Sequence, residues 1–344
     1  MVTIKDIANM ANVSRGTVDR VLNNRGGVSP RTAERIRLIA EKLNYTPSIT
    51  GRGLAVMKKD LKFGFILPAE LNGNTSLNRA LVQKTEDFAA YSITVLRRAY
   101  ADRNVQELLK AIDELEAEGV SGISMSPIPN PEVEQRINKL NQYGIAVVTY
   151  EYDLPKSRRF AFVGCDYYRN GQTVAGVVRL ILGGKGTVGI VTGTLSASAH
   201  GLRIQGLMDR LAEDSYEIRI AAQVVCDEDD VSTYTAVKQI LTENPNLDLL
   251  IINVASSFGS MRAVKEYQRP LHVISTNRVS EMETYLEDHT VDAMVTHQPW
   301  IQTDLSLDIL FQYFVWGKKP NQEVFYTNNE IVIPENMRFK RMAL

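Results

Sequence analysis

Polar side chains stand at the ends of several short apolar runs, where a strand of a sheet would finish. The set consists of Glu151, Asp166, Asn253, Asn277 and Gln298. If the strands are parallel neighbours, their carboxyl ends meet at one edge of a sheet. Carboxylates and amides at such an edge supply directional hydrogen bonds, which suit a ligand that carries many hydroxyl groups. The alternative for each residue is an ordinary helix cap or turn.

Aromatic side chains occur close to these positions and could stack on the apolar face of a sugar ring. The candidates are Tyr150, Tyr152, Tyr167, Phe258 and Trp300. Each of them is equally compatible with a place in the hydrophobic core. The pattern therefore indicates a polar cleft without assigning its aromatic wall.

A second group of chemically active residues lies at the N-terminus, where positive charge is concentrated. The whole chain has a net charge of −1, yet residues 1–59 contain four lysines and seven arginines against four acidic residues, which leaves +7 there and −8 in the remainder. Basic side chains that neutralise phosphates release counterions from a nucleic acid duplex, and this effect supplies most of the basal affinity. The alternative interpretation is a solvated basic surface on a small helical bundle.

Helical periodicity and capping residues predict three short helices within residues 3–46. Apolar residues recur at helical spacing from Ile4 to Ala11, and Ser14 then stands as the cap of a second helix. Ser29, which a proline follows, begins the third helix. Three small helices with one shared apolar face form a helix-turn-helix unit, whose second helix enters the major groove of DNA with its first turn facing the base edges.

The remainder of the chain alternates apolar, strand-like runs with amphipathic stretches. The predicted strands are residues 63–67, 93–96, 122–125, 146–150, 188–192, 249–253, 273–276 and 293–296. Strand, helix and strand in succession predict an α/β fold, with doubly wound parallel sheets that are covered by helices on both faces. We expect two halves, with the chain crossing between them near residues 160, 296 and 322.

Composition excludes several classes of protein. No stretch of about 18 apolar residues occurs, so no membrane-spanning helix is expected. The N-terminus carries Lys5 and Asp6 in a predicted helix instead of an apolar secretory segment, which predicts a cytoplasmic protein. The two cysteines, Cys165 and Cys226, lack metal-ligand spacing and are expected to be small buried residues. The four histidines are scattered, and no catalytic or metal site is expected.

One stretch matches the sequence motif of a dinucleotide-binding loop but lacks the structural context of that loop. Residues 184–189 fit G-x-G-x-x-G, and Asp209 lies about 20 residues beyond, as in a dinucleotide fold. That fingerprint must follow a strand and open a helix, so that the pyrophosphate meets the helix N-terminus. Here it follows a predicted helix over residues 172–182 and enters the predicted strand 188–192. We interpret it as a helix stop and a turn, and we expect no cofactor.

The N-terminal motifs resemble the headpiece of the LacI/GalR family of bacterial repressors. The matching stretches are Val2-Thr3-Ile4-Lys5-Asp6-Ile7-Ala8, Ala11-Asn12-Val13-Ser14, Thr17-Val18-Asp19-Arg20-Val21-Leu22-Asn23, Val28-Ser29 and Leu43-Asn44-Tyr45-Thr46-Pro47. The resemblance implies a DNA-binding headpiece over residues 1–46. Its implied DNA contacts are Thr3, Ser14, Arg15, Gly16, Thr17, Arg20 and Asn23. It assigns base selection to Arg15 and Gly16, and an arginine prefers the guanine edge. The alternative for Arg15 is contact with phosphate or with Asp19 only.

Residues 47–60 resemble the hinge helix of the same family, which pairs with its twofold mate in the minor groove. The resemblance makes Arg52 a DNA contact and places Leu54 where a leucine wedges between base pairs and bends the duplex, at a cost of roughly a few kcal/mol. Gly51 stands where alanine is usual, and Gly53 follows it. Each glycine weakens a helix by about 1 kcal/mol relative to alanine, so we expect the hinge helix to form only on DNA.

Residues 61–344 are similar to the ligand-binding and dimerisation core of that family, which has the plan of a periplasmic sugar-binding protein. The resemblance implies one subdomain at about 61–160 with 296–322 and another at about 161–295 with 323–344. Arg203 and Gly206 resemble its cleft arginine motif. The implied ligand-binding set is Glu151, Tyr152, Asp166, Arg203, Asn253, Asn277 and Gln298. Residues 68–74 lack the aromatic pair of the family, which leaves the ligand open.

These features together predict a sequence-specific DNA-binding transcriptional regulator of the repressor type. We expect a homodimer on a pseudo-palindromic double-stranded operator, controlled allosterically by a sugar or sugar derivative in the cleft. We do not expect an enzyme, a cofactor, a metal ion or a membrane partner. Two alternatives stay open. The first is a solute-binding protein for uptake, which the cleft alone would suit, and the second is an enzyme acting on a sugar or nucleotide, for which the sequence supplies no catalytic dyad.

Overall fold

The computed structural model describes residues 2–22, 26–43, 45, 60–69, 75–101, 104–195, 198–213, 216–227, 229–254, 258–276 and 280–337. Four of the predicted functional residues lie outside these ranges. They are Asn23, Arg52, Leu54 and Asn277. The predicted hinge, residues 47–60, lies outside as well, except for its last residue.

Three helices form the N-terminal unit. They are α1 (Ile4–Ala11), α2 (Arg15–Leu22) and α3 (Pro30–Lys42). Their shared buried face consists of Ile7, Ala8, Ala11, Val18, Val21, Ile36 and Ala40. Asn12 ends α1 in the left-handed conformation, with φ 47° and ψ 50°, and so produces the tight turn before α2. The predicted helix-turn-helix unit is confirmed.

Beyond the headpiece, the described chain alternates strands and helices. The strands are β1 (Leu61–Pro68), β2 (Ile93–Tyr100), β3 (Gly122–Met125), β4 (Ala146–Tyr150), β5 (Ala161–Gly164), β6 (Lys185–Thr192), β7 (Glu217–Val225), β8 (Leu249–Asn253), β9 (His272–Ser275), β10 (Ala293–Thr296), β11 (Val324–Tyr326) and β12 (Glu330–Val332). The helices are α4 (Thr75–Ala89), α5 (Val105–Ala117), α6 (Pro131–Gln142), α7 (Tyr167–Leu182), α8 (Ser198–Glu213), α9 (Asp230–Glu243), α10 (Phe258–Lys265), α11 (Ser280–Glu287), α12 (Pro299–Trp316) and α13 (Pro334–Met337). None of the described helices is long and apolar enough to cross a membrane.

The strands form two sheets of six strands each, in the same spatial pattern. The orders are β11-β5-β4-β3-β1-β2 and β12-β10-β9-β8-β6-β7. Every pairing among the described strands is parallel, except that β12 runs antiparallel to β10. Each sheet has a hydrophobic cluster on both of its faces, as parallel sheets require. The predicted α/β class is confirmed.

The described chain crosses between the two sheets three times. Residues 165–166 lead from β5 into α7, residues 297–298 lead from β10 into α12, and residues 327–329 lead from β11 into β12. The first and third crossings lie a few residues later than the sequence predicted. They lie later because β5 and β11 pair with each other, Phe162 opposite Val324, and both belong to the first sheet.

Candidate ligand cleft and nucleic-acid interface

Glu151 lies directly after β4, at the carboxyl edge of the first sheet. Its φ of 66° is a left-handed conformation that side-chain-bearing residues rarely adopt. Oε2 accepts a hydrogen bond from Ser126 Oγ at 3.3 Å. Burial raises the pKa of the Glu151 carboxyl to about 7, and the Ser126 hydrogen bond offsets only part of that shift. The carboxyl can therefore donate or accept a hydrogen bond near neutral pH.

Arg203 projects from α8 and is only 4% exposed. Nε donates to Asn170 Oδ1 at 2.6 Å, and Nη1 donates to Asn253 Oδ1 at 2.5 Å. The guanidinium carbon lies 5.1 Å from the centroid of the Tyr167 ring. Two amides and one aromatic face thus hold the cation in place, so its orientation is set before a ligand arrives.

Asn253 ends β8 and is fully buried. Its Nδ2 donates to Thr192 Oγ1 at 2.9 Å, and its Oδ1 accepts from Thr276 Oγ1 at 2.9 Å. Thr192 ends β6 and Thr276 follows β9, so one amide joins the carboxyl ends of three neighbouring strands. Asn253 also accepts from Arg203 and therefore braces the arginine against the second sheet.

Asp166 and Tyr152 adjoin Tyr167, the first along the chain and the second by packing against it. The Asp166 carboxylate caps α7, where Oδ1 accepts from the amide of Arg169 at 3.0 Å. Its contacts are those of the helix-cap alternative. Tyr152 packs in a small cluster with Cys165 and Tyr167. Burial raises the pKa of Tyr167 well above its usual value, with Glu151 adding to the shift and Arg203 opposing it. The Tyr167 ring is thus within electrostatic range of both proposed ligand contacts.

Gln298 lies in the second crossing and is 6% exposed. It occupies the position before α12 with φ 56° and makes no capping hydrogen bond with its side chain. Nε2 instead donates to Glu330 Oε2 at 3.3 Å. Gln298 therefore ties the second crossing to the strand that follows the third.

Two buried polar residues near these side chains were not predicted from the sequence. His297 Nδ1 and Gln302 Oε1 have no hydrogen-bond partner among the described residues. Burial, assisted by the charge of Arg203, lowers the pKa of His297 to about 3, so its ring is neutral. The ring centroid lies 5.8 Å from that of Tyr167. Buried polar atoms need partners, and hydroxyl groups of a ligand would supply them.

A sequence signal for these residues existed in part. His297 directly follows the predicted strand 293–296, one residue before Gln298, and its position at a strand end is such a signal. Asn170 interrupts the apolar face that Val174 and Val178 continue along α7, where a buried amide is unusual. Gln302, one turn into α12, offered no such signal, because only the position of the crossing brings it here.

The aromatic candidates differ in their surroundings. Tyr150 belongs to the core, where it stacks on Phe65 with ring centroids 5.4 Å apart. Phe258 begins α10 and is 53% exposed, and Trp300 lies in the first turn of α12. Tyr167, which was also proposed for stacking, lies with its ring centroid 5.1 Å from the guanidinium carbon of Arg203.

The first turn of α2 presents the residues predicted to read bases. Arg15, Gly16 and Arg20 are exposed. Ser14 Oγ accepts from the amide of Thr17 at 3.1 Å and lies 2.9 Å from its hydroxyl, so both residues close the N-terminus of the helix. A Cβ at Gly16 would meet only Ser14 Oγ, at 3.7 Å. The start of α2 is therefore an open face on which Arg15 is a prominent donor.

Thr3 is engaged at the start of α1. Its hydroxyl donates to Asp6 Oδ2 at 2.7 Å, and its amide donates to the same carboxylate at 2.8 Å. The Asp6 amide donates in return to Thr3 Oγ1 at 3.3 Å, and this bond forms a capping box together with the bond from the Thr3 amide, which fixes the exposed Thr3 at the end of the helix.

The G-x-G-x-x-G stretch is a helix stop, as predicted. Gly183 caps α7 in the left-handed conformation with φ 61°, Gly184 follows with φ 90°, and β6 begins at Lys185. Asp209, the acidic residue of the supposed fingerprint, lies in α8 and accepts from the Tyr168 hydroxyl at 3.0 Å. Within the described ranges there is no cluster of three acidic, histidine or cysteine residues that could hold a metal ion.

Known protein families match the two parts of the chain separately. Residues 3–48 match the bacterial regulatory proteins of the lacI family, and residues 63–319 match the periplasmic binding protein domain. The probable HTH-type transcriptional repressor ExuR of Bacillus subtilis (strain 168) is 26% identical, over 77% of this chain and 77% of its own. Catabolite control protein A of Priestia megaterium is 28% identical, over 71% of each chain.

Solved structures show the same architecture in the core. The sugar-binding protein of a sugar ABC transporter from Bacillus halodurans superimposes with a TM-score of 0.73 at 24% sequence identity. The match covers 81% of this chain and 99% of that one. At this identity the similarity establishes the fold of the core.

Proposed function

Because the chain belongs to the lacI family of bacterial regulatory proteins and carries a periplasmic binding protein domain, we propose that it is a transcriptional repressor that a small ligand controls. The observation that carries this proposal is the combination of two sites in one chain. A helix-turn-helix headpiece exposes Arg15 on the first turn of α2, and a group of buried polar side chains surrounds Arg203. Its place of action is the cytoplasm, where operator DNA lies.

The proposed ligand is a sugar or sugar derivative. The contacts that support it are a fixed guanidinium at Arg203, a carboxyl at Glu151 with a pKa of about 7, and buried polar atoms on His297 and Gln302. Such donors and acceptors, close to the face of Tyr167, suit hydroxyl groups on a ring. The relative ExuR is named a probable transcriptional repressor, which supports a regulatory role for this ligand.

The proposed DNA partner is a pseudo-palindromic operator bound by a homodimer. In one headpiece, α1, α2 and α3 pack around a shared apolar core. The headpiece presents a single recognition helix and therefore covers only a half-site. Twofold symmetry of the protein then requires twofold symmetry of the site. Arg15 would donate to the guanine edge in each half-site.

The proposed coupling follows from the three crossings. A ligand held by side chains of both sheets changes the angle between the subdomains, and this angle sets the spacing of the two hinge segments of a dimer. Coupling of this type amounts to about 1–3 kcal/mol, or roughly 5- to 150-fold in operator affinity, and it is reciprocal.

The test uses the full chain. A randomised duplex library yields the preferred operator, and thermal-shift measurements screen aldopentoses, aldohexoses, uronic acids and sugar phosphates. A ligand present at 100 times its Kd should stabilise the protein by about 2.7 kcal/mol. Operator titrations with and without that sugar should then differ by at least fivefold. Absence of base-selective DNA binding, or no response to any sugar of the panel, would contradict the proposal.

Arg203→Ala provides the site-specific variant of this test. It should bind operator as the wild type does, while the sugar no longer changes that affinity. Arg210→Ala is the matched control, because Arg210 lies on the same helix and pairs with Glu213 at 3.1 Å. A full sugar response in Arg203→Ala would exclude Arg203 from the site.

A further inference from the structure

Two amide side chains, one buried and one half-buried, connect the cleft arginine with the third crossing. Asn170 is fully buried on α7 and stands in the middle of this chain of hydrogen bonds. Its Oδ1 accepts from Arg203 Nε at 2.6 Å, and its Nδ2 donates to Asn329 Oδ1 at 2.8 Å. Asn329 Oδ1 also accepts from the Cys165 thiol at 3.4 Å. Both the oxygen and the nitrogen of the Asn170 amide therefore form hydrogen bonds within this network.

The chemistry of the arginine sets the direction of every bond in this chain. A guanidinium can only donate, so Asn170 must turn its oxygen toward Arg203 and its NH2 toward Asn329. Asn329 must then present its oxygen. Rotation of either amide by 180° would set two donors or two acceptors against each other. The orientation of Arg203 and that of Asn329 are therefore linked through Asn170.

Close packing of two helices makes the link stiff. A Cβ at Gly171, next to Asn170, would lie 1.9 Å from the carbonyl oxygen of Arg203. A Cβ at Gly206 would lie 2.0 Å from the carbonyl oxygen of Tyr168. Glycine at these two positions lets α7 and α8 approach until their backbones nearly touch, so the helices that carry Asn170 and Arg203 move as one unit.

The far end of the chain reaches the segment that joins the two sheets. Asn329 lies in the third crossing, between β11 of the first sheet and β12 of the second. In the same segment, Thr327 donates from its amide to Gly164 O at 2.8 Å and from its hydroxyl to His297 O at 2.9 Å. These bonds tie the third crossing to the residues beside the other two crossings. A shift at Asn329 is thus a shift of the joint between the subdomains.

We propose that Asn170 and Asn329 are positioning residues, which hold Arg203 in register with the third crossing so that the arginine and the joint move together. The proposal rests on the proposed function for its consequence, because a sugar that turns Arg203 would then act on the subdomain angle through these two amides. The link between Arg203 and the third crossing is a property of the ligand-free protein, in which it can be measured.

The test measures hydrogen exchange of the Arg203 Nε–H by NMR in the full chain labelled with 15N-arginine, and an Arg203→Lys variant identifies the signal. Asn329→Leu removes the acceptor for Asn170 at almost unchanged volume. It should accelerate exchange at Arg203 Nε–H at least tenfold and shift its resonance. Asn329→Asp keeps an acceptor facing Asn170 and should retain the slow exchange of the wild type.

Asn328→Leu is the matched control, because Asn328 is the exposed neighbour in the same crossing. Equal exchange rates in Asn329→Leu and Asn328→Leu would overturn the proposal. Asn329→Ala repeats the measurement with a smaller side chain if the leucine variant fails to fold. Because the readout needs neither DNA nor sugar, it separates failure of this link from failure of the proposed function, which the operator titration of the wild type decides.

Discussion

The headpiece and the cleft position their functional side chains by different means. The exposed face of α2 comes from one uninterrupted stretch, in which Ser14 caps the helix and Arg15 begins it. The cleft takes its side chains from distant segments, among them Ser126, Arg203 and Glu330, which meet because two sheets end at the same place. The recognition helix is thus a local construction, whereas the cleft depends on topology.

This difference determines how far a substitution should reach. In the headpiece, a side chain acts on the helix end that carries it. In the cleft, Asn253 alone joins three strand ends and the arginine, so a change at one position passes to several elements. The effect of a substitution should therefore stay local in the headpiece and spread to several elements in the cleft.

The largest effect is expected for Gly171→Ala, at the contact between α7 and α8. The new Cβ would lie 1.9 Å from Arg203 O and 2.8 Å from Leu207 N, both backbone atoms that cannot rotate away. The helices must separate, which should cost about 3 kcal/mol of unfolding free energy, as for overpacked cores. Urea unfolding followed by circular dichroism measures the change.

Gly176→Ala is the control for this prediction, on the same helix and with nothing within 4 Å of the new Cβ. Alanine there should stabilise the protein by up to about 1 kcal/mol, because it is the better helix former. Two changes of the same sign would show that α7 and α8 do not depend on the close contact.

The second prediction concerns pH and Glu151→Gln. Burial raises the pKa of Glu151 from 4.5 to about 7 in the folded state, so the folded protein binds this proton more tightly than the unfolded chain does. The carboxylate therefore destabilises the fold above pH 7, and the penalty vanishes below pH 4.5. The glutamine variant should be more stable than the wild type by about 3 kcal/mol at pH 8, since the pKa shift is about 2.5 units and each unit corresponds to about 1.4 kcal/mol.

The difference between the two proteins should shrink as the pH falls from 8 to 5. His297 acts in the opposite direction, because burial lowers its pKa to about 3 and its stabilising contribution declines as the pH falls below 6.5. It is present in both proteins, so it cancels in the comparison. A stability gap that does not change with pH would mean that Glu151 ionises as an ordinary exposed acid.

The central strands of the fold could be predicted from sequence because they are buried on both faces. β3, β4 and β8 are buried at every residue and read as continuous apolar runs. β7 forms an edge, where exposed and half-buried residues alternate, and it was not predicted. The three-residue strands β11 and β12 were also missed, and with them the position of the third crossing.

Residues of the candidate site could likewise be predicted where the signal is local in the sequence, and not where it depends on tertiary packing. Residues that end a strand or directly follow it, such as Asn253 and Glu151, could be found because a strand end is a local signal. Asn170 and Asn329 lie far apart in the sequence, and their 2.8 Å bond depends on which turn of α7 faces the third crossing. Helix registration of that kind is a tertiary property, which periodicity does not report.

The third prediction concerns base recognition by Arg15 of the headpiece. Arg15→Ala should reduce discrimination at one base pair of each half-site by about 1–3 kcal/mol, because the bidentate contact to guanine is lost. Competition between the selected operator and its single-base variants measures this loss. Arg35→Ala, an exposed arginine of α3, is the control and should leave base preference unchanged. Unaltered preference in Arg15→Ala would restrict Arg15 to contacts with phosphate or Asp19.

The smallest effect is expected for Ser14→Ala, which removes the acceptor for the Thr17 amide at the start of α2. Loss of an N-cap costs about 1 kcal/mol, and Ser14→Thr should keep most of the cap. Amide hydrogen exchange resolves where that cost falls. Exchange should accelerate in α2, about fivefold for a 1 kcal/mol change, while amides of β4 such as that of Val148 keep their wild-type rates. Equal acceleration in α2 and β4 would show that the headpiece and the core unfold as one unit, and the contrast between a local recognition helix and a topological cleft would not hold.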